Sequence, residues 1–212
     1  MLFQELRSKL APVCKRFAKS KDGIAAIEFA FIAPIMIAFY FGVSELSMAI
    51  AADREVAHTA SVAGDLATQL TDLGQDDVED IMTASLAVLG IDADERADVT
   101  VELNSYRINP LDGTIETVGY ARMGPQITKG GPATFDPSSL GSNMLNATSG
   151  VVVARVNFRY KPLTLKFAEN MTLHETFYLK PRRSLSVPFD EGGSTNFSCT
   201  AGTDLNVSCS AS

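Results

Sequence analysis

The feature that most constrains this 212-residue chain is a long apolar run, Ile24 to about Ala52, which follows a basic stretch and carries one carboxylate, Glu28, near its start. Its longest charge-free part, Phe29 to Ser44, is 16 residues. With Ile24 to Glu28 added, it reaches the roughly 20 residues that cross a ~30 Å hydrocarbon core at 1.5 Å per residue. The segment spans a bilayer if Glu28 lies near an interface or finds a partner. A charge at the centre of a spanning helix costs about 2.5–3.5 kcal/mol on insertion scales, and less near the interface. A carboxylate kept at such a cost points to something that recognises it.

Charge divides across this run. Residues 1–22 carry Arg7, Lys9, Lys15, Arg16, Lys19 and Lys21 against Glu5 and Asp22, whereas the remainder holds 12 Lys/Arg against 23 Asp/Glu. A basic flank and an acidic body on opposite sides of an apolar span fit the positive-inside rule, with residues 1–23 cytoplasmic and the body outside. An acidic body lacks the phosphate-neutralising surface that nucleic acid requires, so no nucleic-acid partner is expected. Of three cysteines, Cys14 lies in the basic leader, and Cys199 and Cys209 lie in a Gly/Ser/Thr/Asn-rich tail. In an oxidising compartment the last two can close a short disulfide loop worth about 2–3 kcal/mol in the chain-entropy model.

Beyond the apolar run, Leu46, Ile50, Ala57, Ala60, Ala63, Ala67 and Leu70 recur mostly at three- or four-residue spacing. One helix from residue 24 to about 70 follows, with a small-residue stripe that permits close packing and a proline, Pro34, that kinks rather than ends it. A second helix is predicted from Asp77 to Leu89, with Gly90 as its C-cap. The period then becomes two: Val99, Val101 and Leu103 form a strand, Asn109 to Gly113 a turn, and Ile115 to Met123 the returning strand. Residues 124–149 read as a surface loop. Val152, Ala154, Val156, Phe158 and Tyr160 alternate with Arg155, Asn157 and Arg159. Leu173 to Leu179 and Arg183 to Val187 complete a four- or five-stranded antiparallel sheet. The expected class is α+β: a long N-terminal helix, a short second helix and a small antiparallel sheet. Its divisions are a leader (1–23), a transmembrane and assembly helix (24–52), a helical stalk (53–74), an α+β domain (75–190) and a flexible tail (191–212) with the candidate disulfide.

No catalytic residues are assigned. His174-Glu175 begins like a helical zinc motif, but Tyr178 stands where its second histidine belongs and the segment reads as a strand. His58 lies on the stalk side of the long helix, with no acid partner evident in the sequence. Gly130-Gly131 and Gly192-Gly193 lack a phosphate-cradling context. Asp76, Asp77, Glu79 and Asp80 lack the glycine and terminal glutamate of a calcium loop. No metal, no cofactor and no enzyme activity are expected.

Two readings of the N-terminal region remain. One is a secretory signal cut near Ala49-Ile50-Ala51, releasing a soluble binding module; its apolar core would be about twice the usual 7–15 residues and would contain Glu28. The other is a prepilin whose leader ends at Gly23, leaving Ile24 as the new N-terminus, Glu28 as its fifth residue and Phe29 as its sixth. The new ammonium of one subunit can then neutralise the Glu28 carboxylate of a neighbour in a low-dielectric core.

The stretch Gly23-Ile-Ala-Ala-Ile-Glu-Phe-Ala-Phe-Ile-Ala-Pro-Ile-Met-Ile-Ala-Phe-Tyr-Phe-Gly-Val-Ser-Glu45 resembles the TadE-like family of pseudopilins from Tad (tight adherence) pilus systems. Gly23, Glu28, Phe29, Ala30, Pro34, Gly42, Glu45 and Leu46 fall on the family pattern, which covers about residues 20–65. The pattern does not separate TadE-type proteins from TadF-like or short TadG-like siblings. The resemblance implies cleavage after Gly23 by a prepilin peptidase and residence in the inner membrane as a single-pass protein with a periplasmic body, or incorporation in the pilus or at its tip. It also implies work with other minor pilins, the major pilin and an inner-membrane assembly platform, in a fibre that supports adhesion and biofilm formation.

Overall fold

A computed structural model describes residues 23–125, 135–141, 144–146, 149–162, 171–190 and 196–211. The basic leader, residues 1–22, lies outside the described residues. The chain divides into two compact units, Met1–Leu46 and Ser47–Ser212, so the division falls inside the segment assigned to the membrane. Helix α1 (Ile24–Gln69) begins in the first unit and ends in the second.

In the second unit, α1 buries Val56, Ala60, Ala63 and Ala67 completely. Their spacing sets them on one face, and their size decides how near that face can come to the sheet. Gly64 shows how near. A Cβ there would overlap the Leu179 side chain and stand 3.0 Å from the Ala154 Cβ. The small-residue stripe is thus spent on this chain's own domain.

Helix α2 (Gln75–Leu89) starts two residues before the expected Asp77: Gly74 is its N-cap, and Asp77, in the first turn, reaches back so that its Oδ2 accepts the Gly74 N–H at 3.0 Å. That bond satisfies one of the first-turn donors the helix leaves orphaned, and Asp76 and Asp77 lie favourably at the positive dipole end. Gly90 closes the helix at φ 67°, a left-handed conformation that glycine adopts without strain. Val78, Ile81, Met82, Leu86 and Leu89 face the core.

Six strands follow: β1 (Val99–Ile108), β2 (Ile115–Met123), β3 (Val151–Tyr160), β4 (Met171–Leu179), β5 (Asn196–Ala201) and β6 (Val207–Ala211). They form one sheet in the order β4-β3-β1-β2-β5-β6. All neighbours are antiparallel except β2 and β5, which are parallel, so the sheet is mixed. One face packs under the helices through Val101, Leu103, Ala154, Val156 and Met123. Leu140 and Leu145 cover part of the other face over Tyr106, Val151 and Val153.

Two segments differ from expectation. Residues 183–187 are not a strand: Pro181 and Pro188 flank them and remove two ladder donors. Around it the chain is tied back instead by an isolated parallel bridge, Leu73 to Phe189, by the Arg182 N–H donating to the Thr68 carbonyl at 3.1 Å, and by the Gly150 N–H donating to the Leu185 carbonyl at 2.7 Å. Residues 196–211, expected as a flexible tail, are the hairpin β5–β6. Phe197, Cys199, Val207 and Cys209 point to the core while Ser198, Thr200, Ser208 and Ser210 face solvent. Cys199 and Cys209 sit opposite one another in the ladder and are joined by a disulfide. The outer edge of β6 is closed by α2, since the Val207 and Cys209 N–H groups donate to Thr83 Oγ1 at 3.2 Å and Glu79 Oε1 at 2.7 Å. Such closure removes a row of groups that would otherwise template another strand.

Replacing Gly64 by valine should destabilise the second unit by about 1–3 kcal/mol, an overpacking cost, read as a lower urea midpoint; an unchanged midpoint would refute the close approach. Replacing Cys199 and Cys209 together by serine should cost about 2–3 kcal/mol. The native protein under strong reductant should match that variant, and a mismatch would locate the loss elsewhere than the bond.

Candidate functional site

The residues singled out at the N-terminus lie along the part of α1 in the first unit. Gly23 stands at its mouth, and its carbonyl accepts the first helical bond from the Ile27 N–H at 3.1 Å. From Ile24 the helix is apolar on every side and exposed: Phe29 is 71 % and Phe31 73 % accessible, and Ile35, Phe39 and Tyr40 are also exposed. A helix apolar all round suits a lipid or protein environment rather than water. It is the one helix among the described residues long and apolar enough to cross a membrane, and its most apolar window has no part buried in the protein.

Pro34 lies inside the helix and carries no N–H for the Ala30 carbonyl four residues back, yet the helix runs through it. Gly42 and Leu46 follow on the same helix, Gly42 half-buried with open space where a Cβ would be. The two acids bracketing the charge-free stretch differ. Glu28 is exposed, whereas Glu45 is only 5 % accessible. Between them the helix rises about 25 Å, slightly less than a hydrocarbon core.

Residues 23–65 match the TadE-like protein family. The TadE-like match contains all eight pattern positions from Gly23 to Leu46 and extends through Val56, Ala60, Ala63 and Gly64, the start of the stripe that meets the sheet. The rest of the second unit lies outside the match. No curated protein and no solved structure matches the chain.

Within the second unit, sequence reasoning missed a charged row on the sheet face away from the helices. Glu102 of β1 is paired in register with Arg122 of β2 and Arg155 of β3. Its oxygens lie 3.6 Å from Arg122 Nε and 3.8 Å from Arg155 Nη1. Arg155 and Asn157 lie, as their alternation implied, on the face opposite Ala154 and Val156, and both are buried there, as is Glu102. Neither Glu102 oxygen accepts a hydrogen bond from the described residues. Burial raises the Glu102 pKa, against the lowering pull of Arg155 and Arg122. Burial also pushes Tyr106 up to about 12, helped by the neighbouring Glu102 charge, and Tyr106 donates to Asn104 Oδ1 at 3.2 Å. The signal for this row was present as Glu102, Arg122 and Arg155 on successive strands, but their register is set only by the sheet.

The remaining polar candidates disperse. His58 and His174 are exposed on different elements, and His174 lies opposite Asn157. Of the acidic group after Gly74, Asp77 accepts from the Gly74 N–H at the N-cap of α2, and Glu79 accepts from Gln75 and from the β6 backbone. Among the described residues no three His, Cys, Asp or Glu side chains converge in a set that could hold a metal ion.

The raised pKa means that folded protein holds the Glu102 proton more tightly than the unfolded chain. This contribution is fully present below the ordinary value of 4.5 and is lost as pH rises through the folded value. Between about pH 4 and 7, Glu102→Gln should therefore gain stability relative to the native protein as pH rises. Urea midpoints of the two proteins across that range test it, and a constant difference would contradict the sign.

Proposed function

We propose that this chain is a TadE-like minor pseudopilin of a Tad pilus, anchored in the inner membrane by α1 with the second unit in the periplasm. The observation that carries this reading is the family match over residues 23–65, centred on an apolar helix with a carboxylate five residues after Gly23. Each part has a physical task. The small Gly23 lets a prepilin peptidase approach the bond to Ile24. Cleavage frees an ammonium at Ile24, and a neighbour's ammonium pairs with Glu28, so that both charges are neutralised where unpaired ones would be costly. Phe29 and the exposed apolar side chains around it provide surface for lipid before assembly and for other pilus helices after it. Pro34, Gly42, Glu45 and Leu46 shape the same helix for packing. The partners are thus the bilayer, the peptidase, an assembly platform, and minor and major pilins, and the outcome is a fibre for adhesion and biofilm formation.

Release of a soluble module near Ala51 is the weaker reading. That bond lies in the interior of α1, and a cut there would fall just ahead of Val56, Ala60 and Ala63, which belong to the core of the second unit.

The test has two steps. N-terminal sequencing of protein from native membranes should give Ile24, and Gly23→Leu should leave the leader attached. Glu28→Ala should keep membrane insertion and lose pilus incorporation. A native N-terminus at Ala52 in a soluble fraction, or normal piliation with Glu28→Ala, would sink the proposal.

A further inference from the structure

The β1–β2 turn carries an apolar side chain that stands exposed among the described residues. Leu111 is 93 % accessible. The turn that presents it is tightly tied. Asn109 N–H donates to the Thr114 carbonyl at 2.8 Å, and Gly113 N–H to the Asn109 carbonyl at 2.9 Å. Leu111 N–H donates to Asn109 Oδ1, and Thr114 donates to Asp112 Oδ1 from both its N–H and its hydroxyl. Gly113 supplies the φ of 73° that the turn needs. Leu111 is therefore held out rather than left loose.

Beside this knob lies a groove of about 200 Å³, lined by Arg107, Ile108, Pro110, Gly150, Leu185 and Ser186 among others. Leu185 is 69 % accessible, and Ile115, the ladder partner of Ile108, is 40 % accessible. Isolated exposed aliphatics need no explanation, but the Leu111 knob, the groove and the exposed Leu185 and Ile115 at one end of a sheet form a patch. The groove is smaller than the ~300–1,000 Å³ of small-molecule sites and suits a single aliphatic side chain. The exposed Leu111 does not fill its own groove.

Charge follows the same division. Asp112 stands next to Leu111 on the tip and keeps its negative charge, because hydrogen bonds from Thr114 hold its carboxyl below the usual range. Arg107 lines the groove, and its bond to Glu116 uses one of the five guanidinium donors. One patch thus carries both halves of a contact: an apolar knob with an acid, and an apolar groove with a base. A surface of that kind is complementary to itself across a two-fold axis.

We propose that the β1–β2 tip is a docking surface for a second copy of this chain, with Leu111 of each copy seated in the groove of the other and Asp112 facing the partner's Arg107. The pairing lies wholly within the second unit and does not depend on the pilus reading of α1. A contact of this size belongs to the transient class, so a covalent trap suits it.

The experiment uses two full-length chains in membranes with different tags, both carrying Cys14→Ser and keeping the native disulfide. One carries Leu111→Cys and the other Leu185→Cys. Mild oxidation should give a reducible mixed-tag dimer that is absent when Thr203→Cys, at the exposed far hairpin, replaces Leu111→Cys. Adding Asp112→Lys to the Leu111→Cys chain should reduce the dimer, and Arg107→Asp in the other chain should restore it. A mixed-tag dimer no stronger than the Thr203→Cys control overturns the proposal. So does a Leu111→Cys chain that links only to a different protein, or a dimer insensitive to Asp112→Lys.

Discussion

The close seat of α1 on the sheet governs the second unit. It needs small residues on both sides: Ala60, Ala63, Gly64 and Ala67 on the helix and Ala154 on the strand below. With larger groups the helix would stand away, and Val56 would lose the neighbours that bury it completely. Leu179 fills the margin that Gly64 leaves, so the helix, β3 and β4 are fitted together at one place. The family match ends within this seat, and so joins the membrane-type helix to the first part of the structure that packs in water.

Two different constraints act on the two parts of α1. Ahead of Leu46 the helix presents Phe, Ile, Met and Tyr on all sides, which favours surroundings that are apolar all round. From Val56 onward only one narrow face is apolar, and its members are mostly alanine. A single helix thus changes from a surface suited to lipid or other helices to one suited to its own sheet. Pro34, the residue type that weakens a helix most, lies in the first part, while glycine occurs in both: Gly42 ahead of Leu46 and Gly64 in the seat on the sheet.

Much of this was legible in the sequence, and what was not has identifiable physical causes. The extent of α1, the Gly90 end of α2, the Asn109 to Gly113 turn and strands β1 to β4 all arise from local periodicity and turn chemistry. The hairpin β5–β6 was hidden because two of its four inward positions are cysteines and its strands are short. The parallel pairing of β2 with β5 joins residues more than 70 apart and leaves no local trace. The residues 183–187 alternated convincingly, but their flanking prolines were the stronger signal. At the N-terminus, the positions of Gly23, Glu28 and Phe29 could be read directly, whereas the contrast between exposed Glu28 and buried Glu45 could not. The Glu102 row was unreadable for the same reason as the sheet order: each charge looks solvent-facing on its own strand until three strands are aligned.

The alanine stripe has a consequence for the order in which the chain is made. Gly64 emerges about 90 residues before Ala154 of the strand it meets, an interval of roughly 5–20 s at ordinary rates of synthesis. Throughout that time the stripe lacks β3 and β4, the strands that meet it at Gly64. A leucine or phenylalanine face would be an invitation to misassociate while it waited. Alanine and glycine offer little adhesive area until a closely fitting surface arrives, so the residues that permit the final close contact also keep the nascent helix inert until its strands exist.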